Sequence, residues 1–152
     1  MTTETTTRTR TRLANDAWEA AFLAHSTLMR RFAEQDVWAG LSMREYDVLY
    51  TLAKAGTPLR LKDLVDGVLL SQPALSRLVD RLVERGLISR CASTQDARAT
   101  QLSVTDEGLA VQRRIGRAHG AAVAAALTAS LTDDELRTLE SLSLRLAGKD
   151  QP

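Results

Sequence analysis

The apolar positions of the chain change period several times, and each change marks an element. From Leu13 to about Trp38, the residues Trp18, Phe22, Leu28, Met29 and Phe32 recur close to helical spacing. No Gly or Pro interrupts them, and Gly40 comes next as a stop. This predicts one long helix. Ser42 and Glu45 stand three apart, as in a capping box, and open a second helix through Tyr46, Val48, Leu49, Leu52 and Ala53. Gly56 and Pro58 end it. Leu59 to Leu61 reads as a short extended stretch. Lys62 to Leu69 reads as a short helix with Leu64, Val65, Val68 and Leu69 inward. Ser71 caps the next helix, with Pro73 in its first turn, where a missing N–H costs little. Its inward stripe is Leu75, Leu78, Val79, Leu82 and Val83. Gly86 terminates it, with Leu87 as the apolar residue of a C-cap motif.

Beyond that point the period shortens. Leu87 to Cys91 and Gln101 to Val104 look like strands, and the polar stretch Ala92 to Thr100 between them is long for a tight turn. It reads as an extended hairpin tip, or wing. Thr105 begins a second long helix that runs to about Ser130. Its Ala-rich second half, Ala118 to Ala129, lets helix backbones approach closely. Thr132 and Glu135 form another capping box, and a last helix carries Leu136, Leu139, Leu142 and Leu146. The fold class is mainly α with a small β-hairpin.

Composition adds bounds. The 152 residues suit one domain, and 44% of them are hydrophobic. Lys and Arg number 20 against 19 Asp and Glu, a net charge of +1, so overall charge does not announce a nucleic-acid binder and the distribution must. With Cys91 alone, no intramolecular disulfide can form, and a cytoplasmic setting is expected. No apolar run approaches the roughly 20 residues of a membrane span. Residues 1–12 are Thr and Arg with no apolar block, which is not a signal peptide. They are read as a disordered, solubilising tail, the alternative being that Arg8, Arg10 and Arg12 touch DNA phosphates. Residues 13–149 then form one domain, in which 42–105 is a separate lobe.

Within that lobe, two features carry chemistry. The helices 62–69 and 71–85 are separated by a residue or two, so they cross steeply, as in a helix-turn-helix. The core stripe of the second fixes its outward face as Gln72, Pro73, Ser76, Arg77, Asp80, Arg81 and Glu84. Gln72, Ser76, Arg77 and Arg81 suit a recognition helix. Arg can grip guanine O6 and N7 in a fork, Gln can pair with adenine, and the helix N-terminus attracts a phosphate. Asp80 and Glu84 lie where they can pair locally with Arg77, Arg81 or Arg85. In an isolated helix this face would read as a solvated, salt-bridged surface; the helix pair and the wing change that reading. The second feature is Asp96 and Arg98 in the wing. Two apart, they point the same way, so the Asp can hold the Arg extended, as insertion into a narrow minor groove requires.

These segments resemble a known family. The stretch from Leu64 to Ile88, with Ser71-Gln72-Pro73-Ala74-Leu75-Ser76-Arg77 at its centre, looks like the signature of the MarR (multiple antibiotic resistance regulator) family. Asp96-Ala97-Arg98-Ala99 is similar to that family's wing motif. Leu102-Ser103-Val104-Thr105-Asp106-Glu107-Gly108 resembles the family's second wing strand and the helix start after it. The resemblance implies a winged helix-turn-helix lobe at 42–105 and dimerisation helices at 13–38 and 106–149. It implies an obligate homodimer that regulates transcription, most simply a ligand-responsive repressor on a pseudo-palindromic operator. It places Ser71, Gln72, Pro73, Ser76, Arg77 and Arg81 at the major groove, and Arg98, supported by Asp96, in the minor groove. Gly67 departs from the family's usual larger residue, and a mid-helix Gly costs about 1 kcal/mol. Independently, Trp18, Phe22, Leu127, Leu139 and Leu146 are more apolar surface than one small lobe can cover.

The resemblance also implies a pocket for a small aromatic or phenolic effector. Trp18, Phe22, His25, Met29, Arg44, Tyr46 and Tyr50 are candidates for its lining, or are simply core. Cys91 beside Arg90 is a redox candidate or, more plainly, a small semi-buried residue. His25 and His119 lack metal-ligand spacing, so no metal and no cofactor are expected. No phosphate loop or nucleophile motif points to an enzyme. A protein-interaction adaptor built on the same winged helix is the competing class.

Overall fold

A computed structural model describes residues 2–65, 70–92 and 100–149. The chain divides into two compact units, 1–36 and 37–152.

The first unit is the helix α1, Thr2–Ala33. It begins at Thr2, so the segment expected to be a disordered tail is helical. Extending a helix already nucleated from Leu13 onward adds one backbone bond per residue without a new nucleus, and no Gly or Pro opposes it. Asn15 donates to the Thr11 carbonyl at 3.0 Å, and Arg12 pairs loosely with Asp16 at 3.9 Å. The helix also ends earlier than its spacing predicts, at Ala33 rather than near Trp38.

The second unit opens with a turn closed by Leu41 N–H donating to the Trp38 carbonyl, 2.9 Å. Ala39 and Gly40 both have positive φ there, 54° and 74°. Trp38 leaves the helical path and packs its ring against Tyr46 and His119, with centroids 5.6 and 5.0 Å away. Tertiary packing of a large aromatic overrides local helix preference at this point.

The remaining elements are α2 (Met43–Ala55), β1 (Leu59–Arg60), α3 (Leu61–Val65), α4 (Gln72–Glu84), β2 (Ile88–Ala92), β3 (Thr100–Val104), α5 (Asp106–Thr128) and α6 (Asp133–Leu146). Both expected capping boxes are present. The Ser42 and Thr132 hydroxyls each accept from the third helical N–H, and Glu45 and Glu135 accept in return. The expected end of α4 is also present. The Gly86 N–H bonds the Val83 carbonyl and the Leu87 N–H bonds the Leu82 carbonyl, with Gly86 at φ 71°.

The sheet runs β1-β3-β2, antiparallel throughout, with Leu59 opposite Leu102 and Arg90 opposite Leu102 on the other side. Packed on it, the core joins Val48, Leu49 and Leu52 of α2, Leu64 of α3, and the α4 stripe Leu75, Leu78, Val79 and Leu82. Ile88, Leu102 and Ile115 complete it. The first turn of α5 is pressed onto the start of β2. A Cβ on Gly108 would lie 2.1 Å from the Leu87 carbonyl oxygen, so only glycine fits. Thr105 locks the same joint: its N–H bonds the Leu87 carbonyl and its hydroxyl the Gly86 carbonyl.

Candidate nucleic-acid interface

Helix α4 stands on its leucines. Leu75, Leu78, Val79 and Leu82 are buried, which leaves Ser71, Gln72, Pro73, Arg77 and Arg81 exposed and Ser76 half-buried on the opposite side. This is the face the sequence predicts. Its two halves differ in what they hold.

At the N-terminal end, Ser71 has N-cap dihedrals but its side chain makes no capping bond, and Pro73 removes one of the donors it could have served. Among the described residues the Ser71 hydroxyl caps no N–H of α4, and the first turn of a helix attracts negative charge. Among the described residues, the side chains of Gln72, Ser76 and Arg77 have no hydrogen-bond or ion-pair partner.

At the C-terminal end Asp80, Arg81 and Arg85 are engaged, and not in the local pairs expected, while Glu84 is exposed and has no side-chain partner among the described residues. Asp80 takes Arg90 of β2 at 2.5 Å rather than an arginine of its own helix. Arg81 Nε donates to Glu45 Oε1 of α2 at 3.1 Å, and its Nη1 to the Arg77 carbonyl at 3.4 Å. Arg85 Nη1 donates to the Gly40 carbonyl at 2.8 Å. Local pairing is a poor guide here because it weighs only i+3 and i+4 neighbours, whereas β2 and α2 present partners from 10 and 36 residues away.

Glu45 is the buried acid of the lobe. Burial pushes its carboxyl up. The Ser42 N–H, the Ser42 hydroxyl and the Arg81 guanidinium outweigh that, and the net position is below the ordinary glutamate value of 4.5.

Asp96 and Arg98 lie outside the described residues, as do Asp66 to Leu69. The strands that would carry the wing are in register from Ile88 opposite Val104 to Ala92 opposite Thr100. Cys91 is half-buried, with its thiol 3.6 Å from the Gln101 carbonyl.

The residues singled out for a small ligand fall in different surroundings. Trp18, Phe22, His25 and Met29 lie on α1, with the Trp18 and Phe22 rings exposed and 6.4 Å apart. Arg44 and Tyr50 lie on α2, where Lys54 sits over the Tyr50 ring. Tyr46 is core. It lies 5.9 Å from His119 of α5, and Gln112 bonds its hydroxyl. Sequence spacing misses Trp38 and His119 as its neighbours, because it assigns one to the first helix and the other lies far along the chain. Burial lowers the His119 pKa, and the nearby Asp47 opposes that shift. Asp47 is itself pushed up by burial, against His119 and Arg44. Among the described residues no helix is long and apolar enough to cross a membrane, and no three His, Cys, Asp or Glu side chains gather as a metal site.

Comparison with known proteins agrees with this architecture. The MarR family profile matches residues 39–99, a stretch that carries α4 and the first wing strand, β2. The multiple antibiotic resistance protein MarR of Salmonella typhimurium is 32% identical over 104 residues, covering 67% of this chain and 70% of that protein. The transcriptional regulator PecS of Dickeya dadantii is 32% identical over 81 residues, 52% of this chain but only about half (49%) of PecS. Among solved structures, Sco3205 of Streptomyces coelicolor, a MarR family transcriptional regulator crystallised with DNA, superposes with a TM-score of 0.76. It is 27% identical and covers 91% of this chain and 88% of its own. The chain belongs to the MarR family of winged helix-turn-helix transcription regulators, proteins that bind DNA rather than catalyse a reaction.

Proposed function

We propose that the chain is a sequence-specific double-stranded DNA-binding regulator, acting as a homodimeric, ligand-responsive repressor on a pseudo-palindromic operator. The observation that carries the DNA reading is the N-terminal half of α4, where, among the described residues, the side chains of Gln72, Ser76 and Arg77 have no partner above a buried leucine stripe and the Ser71 hydroxyl makes no capping bond. This half enters the major groove. The wing, 92–100, enters the minor groove through Arg98, held by Asp96. Sco3205, solved in complex with DNA, supports DNA binding by likeness.

The homodimer is supported by the apolar surface each unit leaves open. Helix α6 buries no residue, with Leu139, Leu142, Leu144 and Leu146 exposed, and α1 exposes Leu13, Trp18, Phe22 and Leu23. The effector is an aromatic carboxylate or phenol. On the second unit, Arg44 would pair its carboxylate while Tyr50 stacks on its ring, beside Tyr46.

The test starts from a duplex selected by the purified protein out of a randomised pool. In fluorescence anisotropy the selected duplex binds about a thousandfold tighter than a scrambled one, and more weakly as salt rises. Arg77→Ala costs about 1–3 kcal/mol on the selected duplex. Titrating 4-hydroxybenzoate into the complex releases the DNA. Equal, weak binding to both duplexes refutes the reading and returns the chain to the adaptor class.

A further inference from the structure

Half of the α4 polar face is tied down: Asp80 is held by Arg90 of β2, and two arginine ties run to one short segment of chain. Arg81 reaches Glu45 and Arg85 reaches the Gly40 carbonyl, so residues 40–45 hold the C-terminal half of the helix at two points one turn apart. Glu45 is built to receive this tie. Its Oε2 already accepts the Ser42 N–H at 2.8 Å and the Ser42 hydroxyl at 2.9 Å as the capping box requires, which leaves Oε1 for Arg81. The Glu45 side chain is only 9% exposed, so an unpaired Oε1 would be costly. Gly40, with φ 74°, turns the backbone in a conformation that L side chains rarely adopt, and its carbonyl meets Arg85.

We propose that Arg81 is a positioning residue rather than a DNA contact: with Glu45, and with Arg85 on Gly40, it fixes the tilt of α4 on α2 and so aims Gln72, Ser76 and Arg77. This rests on the reading that the N-terminal half of α4 meets the bases. The lever is long enough to matter. From Arg81 to Gln72 the helix rises about 13 Å, so a tilt of about 10° displaces its tip by about 2 Å. A two-pronged arginine–base contact does not survive that displacement. Arg81 spends two of its nitrogens on bonds within the chain, whereas among the described residues Arg77, one turn nearer the N-terminus, spends none.

The experiment is anisotropy on the selected and scrambled duplexes at several salt concentrations, with a thermal melt of every variant. The variants are Arg77→Ala, Arg81→Ala, Glu45→Gln and the Arg81→Ala/Glu45→Gln double. A positioning role predicts that Arg81→Ala and Glu45→Gln each weaken the selected duplex about tenfold, and that the double is no worse than either. It also predicts an unchanged salt slope and unchanged binding of the scrambled duplex. A direct phosphate contact instead flattens the slope by about 0.9 in Arg81→Ala and leaves Glu45→Gln at wild-type affinity or tighter; that result overturns the proposal. Losses that track the melting temperature and strike both duplexes alike reduce the tie to general stability and overturn it as well. Arg77→Ala separates the two levels. If Arg77→Ala binds the selected duplex like the wild type, the reading of α4 as the base-contacting helix has failed, whatever Arg81 does.

Discussion

Helices α4 and α6 are nearly equal in length, 13 and 14 residues, and each carries a leucine stripe at helical spacing. Their fates in the folded chain are opposite. Helix α4 buries Leu75, Leu78, Val79 and Leu82 against α2, α3 and the sheet, while α6 buries nothing. The difference is not in the stripes but in what the rest of the chain offers them. The lobe from α2 to β3 closes a core around α4, and no element of the second unit does the same for α6. A stripe is a demand for a partner, and the fold decides whether the chain supplies it. Helix α4 is therefore a finished platform whose other side is free for a ligand. Helix α6 is unfinished, and its apolar side is where the proposed second copy would fit.

The sharpest way to break this contrast is to damage the finished part. Gly108→Ala drives a methyl into the Leu87 carbonyl, a backbone atom that cannot turn aside. It should cost about 3 kcal/mol. Leu75→Ala opens a cavity under α4 at a position with no exposure and should cost a similar amount, about 3 kcal/mol. Both losses should be independent of protein concentration in denaturant melts. In α6 the equivalent truncation, Leu142→Ala, should behave differently. Leu142 is 44% exposed, so truncation leaves the fold of the chain nearly untouched. It should instead shift the apparent mass towards monomer in dilution series by analytical ultracentrifugation. A concentration-independent loss in Leu142→Ala would mean that α6 belongs to the intrachain core after all.

The same contrast explains how far these two helices are legible in the sequence. Stripes, capping boxes and the Gly86 stop are local signals, readable over a few residues, and the order of elements with them. The helix-turn-helix and its outward face are legible too, because the stripe leaves only one side free. Features set by distant parts of the chain escape. The place of Arg81 on the free face is legible, but its bond to Glu45, 36 residues earlier, is not. Trp38 reads as part of α1 because nothing between it and Phe32 breaks a helix, yet Tyr46 and His119 hold its ring elsewhere. The helical start of α1 escapes for the reverse reason: a Thr-rich segment reads as tail when the helix it extends is ignored.

A smaller effect separates the two N-caps. The Thr132 hydroxyl accepts from Glu135 N–H, so Thr132→Ala should cost about 1 kcal/mol of α6 helix stability without touching the DNA affinity of the folded protein. The Ser71 hydroxyl caps nothing in α4, so Ser71→Ala should leave the melting temperature alone and weaken duplex binding severalfold. Circular dichroism melts and anisotropy on the same preparations read both. A destabilised Ser71→Ala with unaltered DNA affinity would invert the assignment of that end of α4.

The smallest expected effect is acid sensitivity, and it compares the two capping-box glutamates. Both have carboxyls held below the ordinary value of 4.5. For Glu45 burial opposes the shift and is outweighed by Ser42 and Arg81; for Glu135 the Thr132 N–H and hydroxyl suffice at the surface. A depressed folded-state pKa means that the unfolded chain takes up the proton first. The stabilisation is complete above the unfolded value and is lost as pH falls through the lower folded one. Below about pH 4.5, therefore, each box weakens. Glu45 also carries the tie to α4, so its protonation should loosen α4, whereas that of Glu135 frays only α6. Glu45→Gln, which cannot ionise, should reduce the drop in melting temperature between pH 5 and pH 3 more than Glu135→Gln does. Equal slopes for the two variants would show that Arg81 adds nothing to the Glu45 carboxylate beyond what a surface capping box already provides.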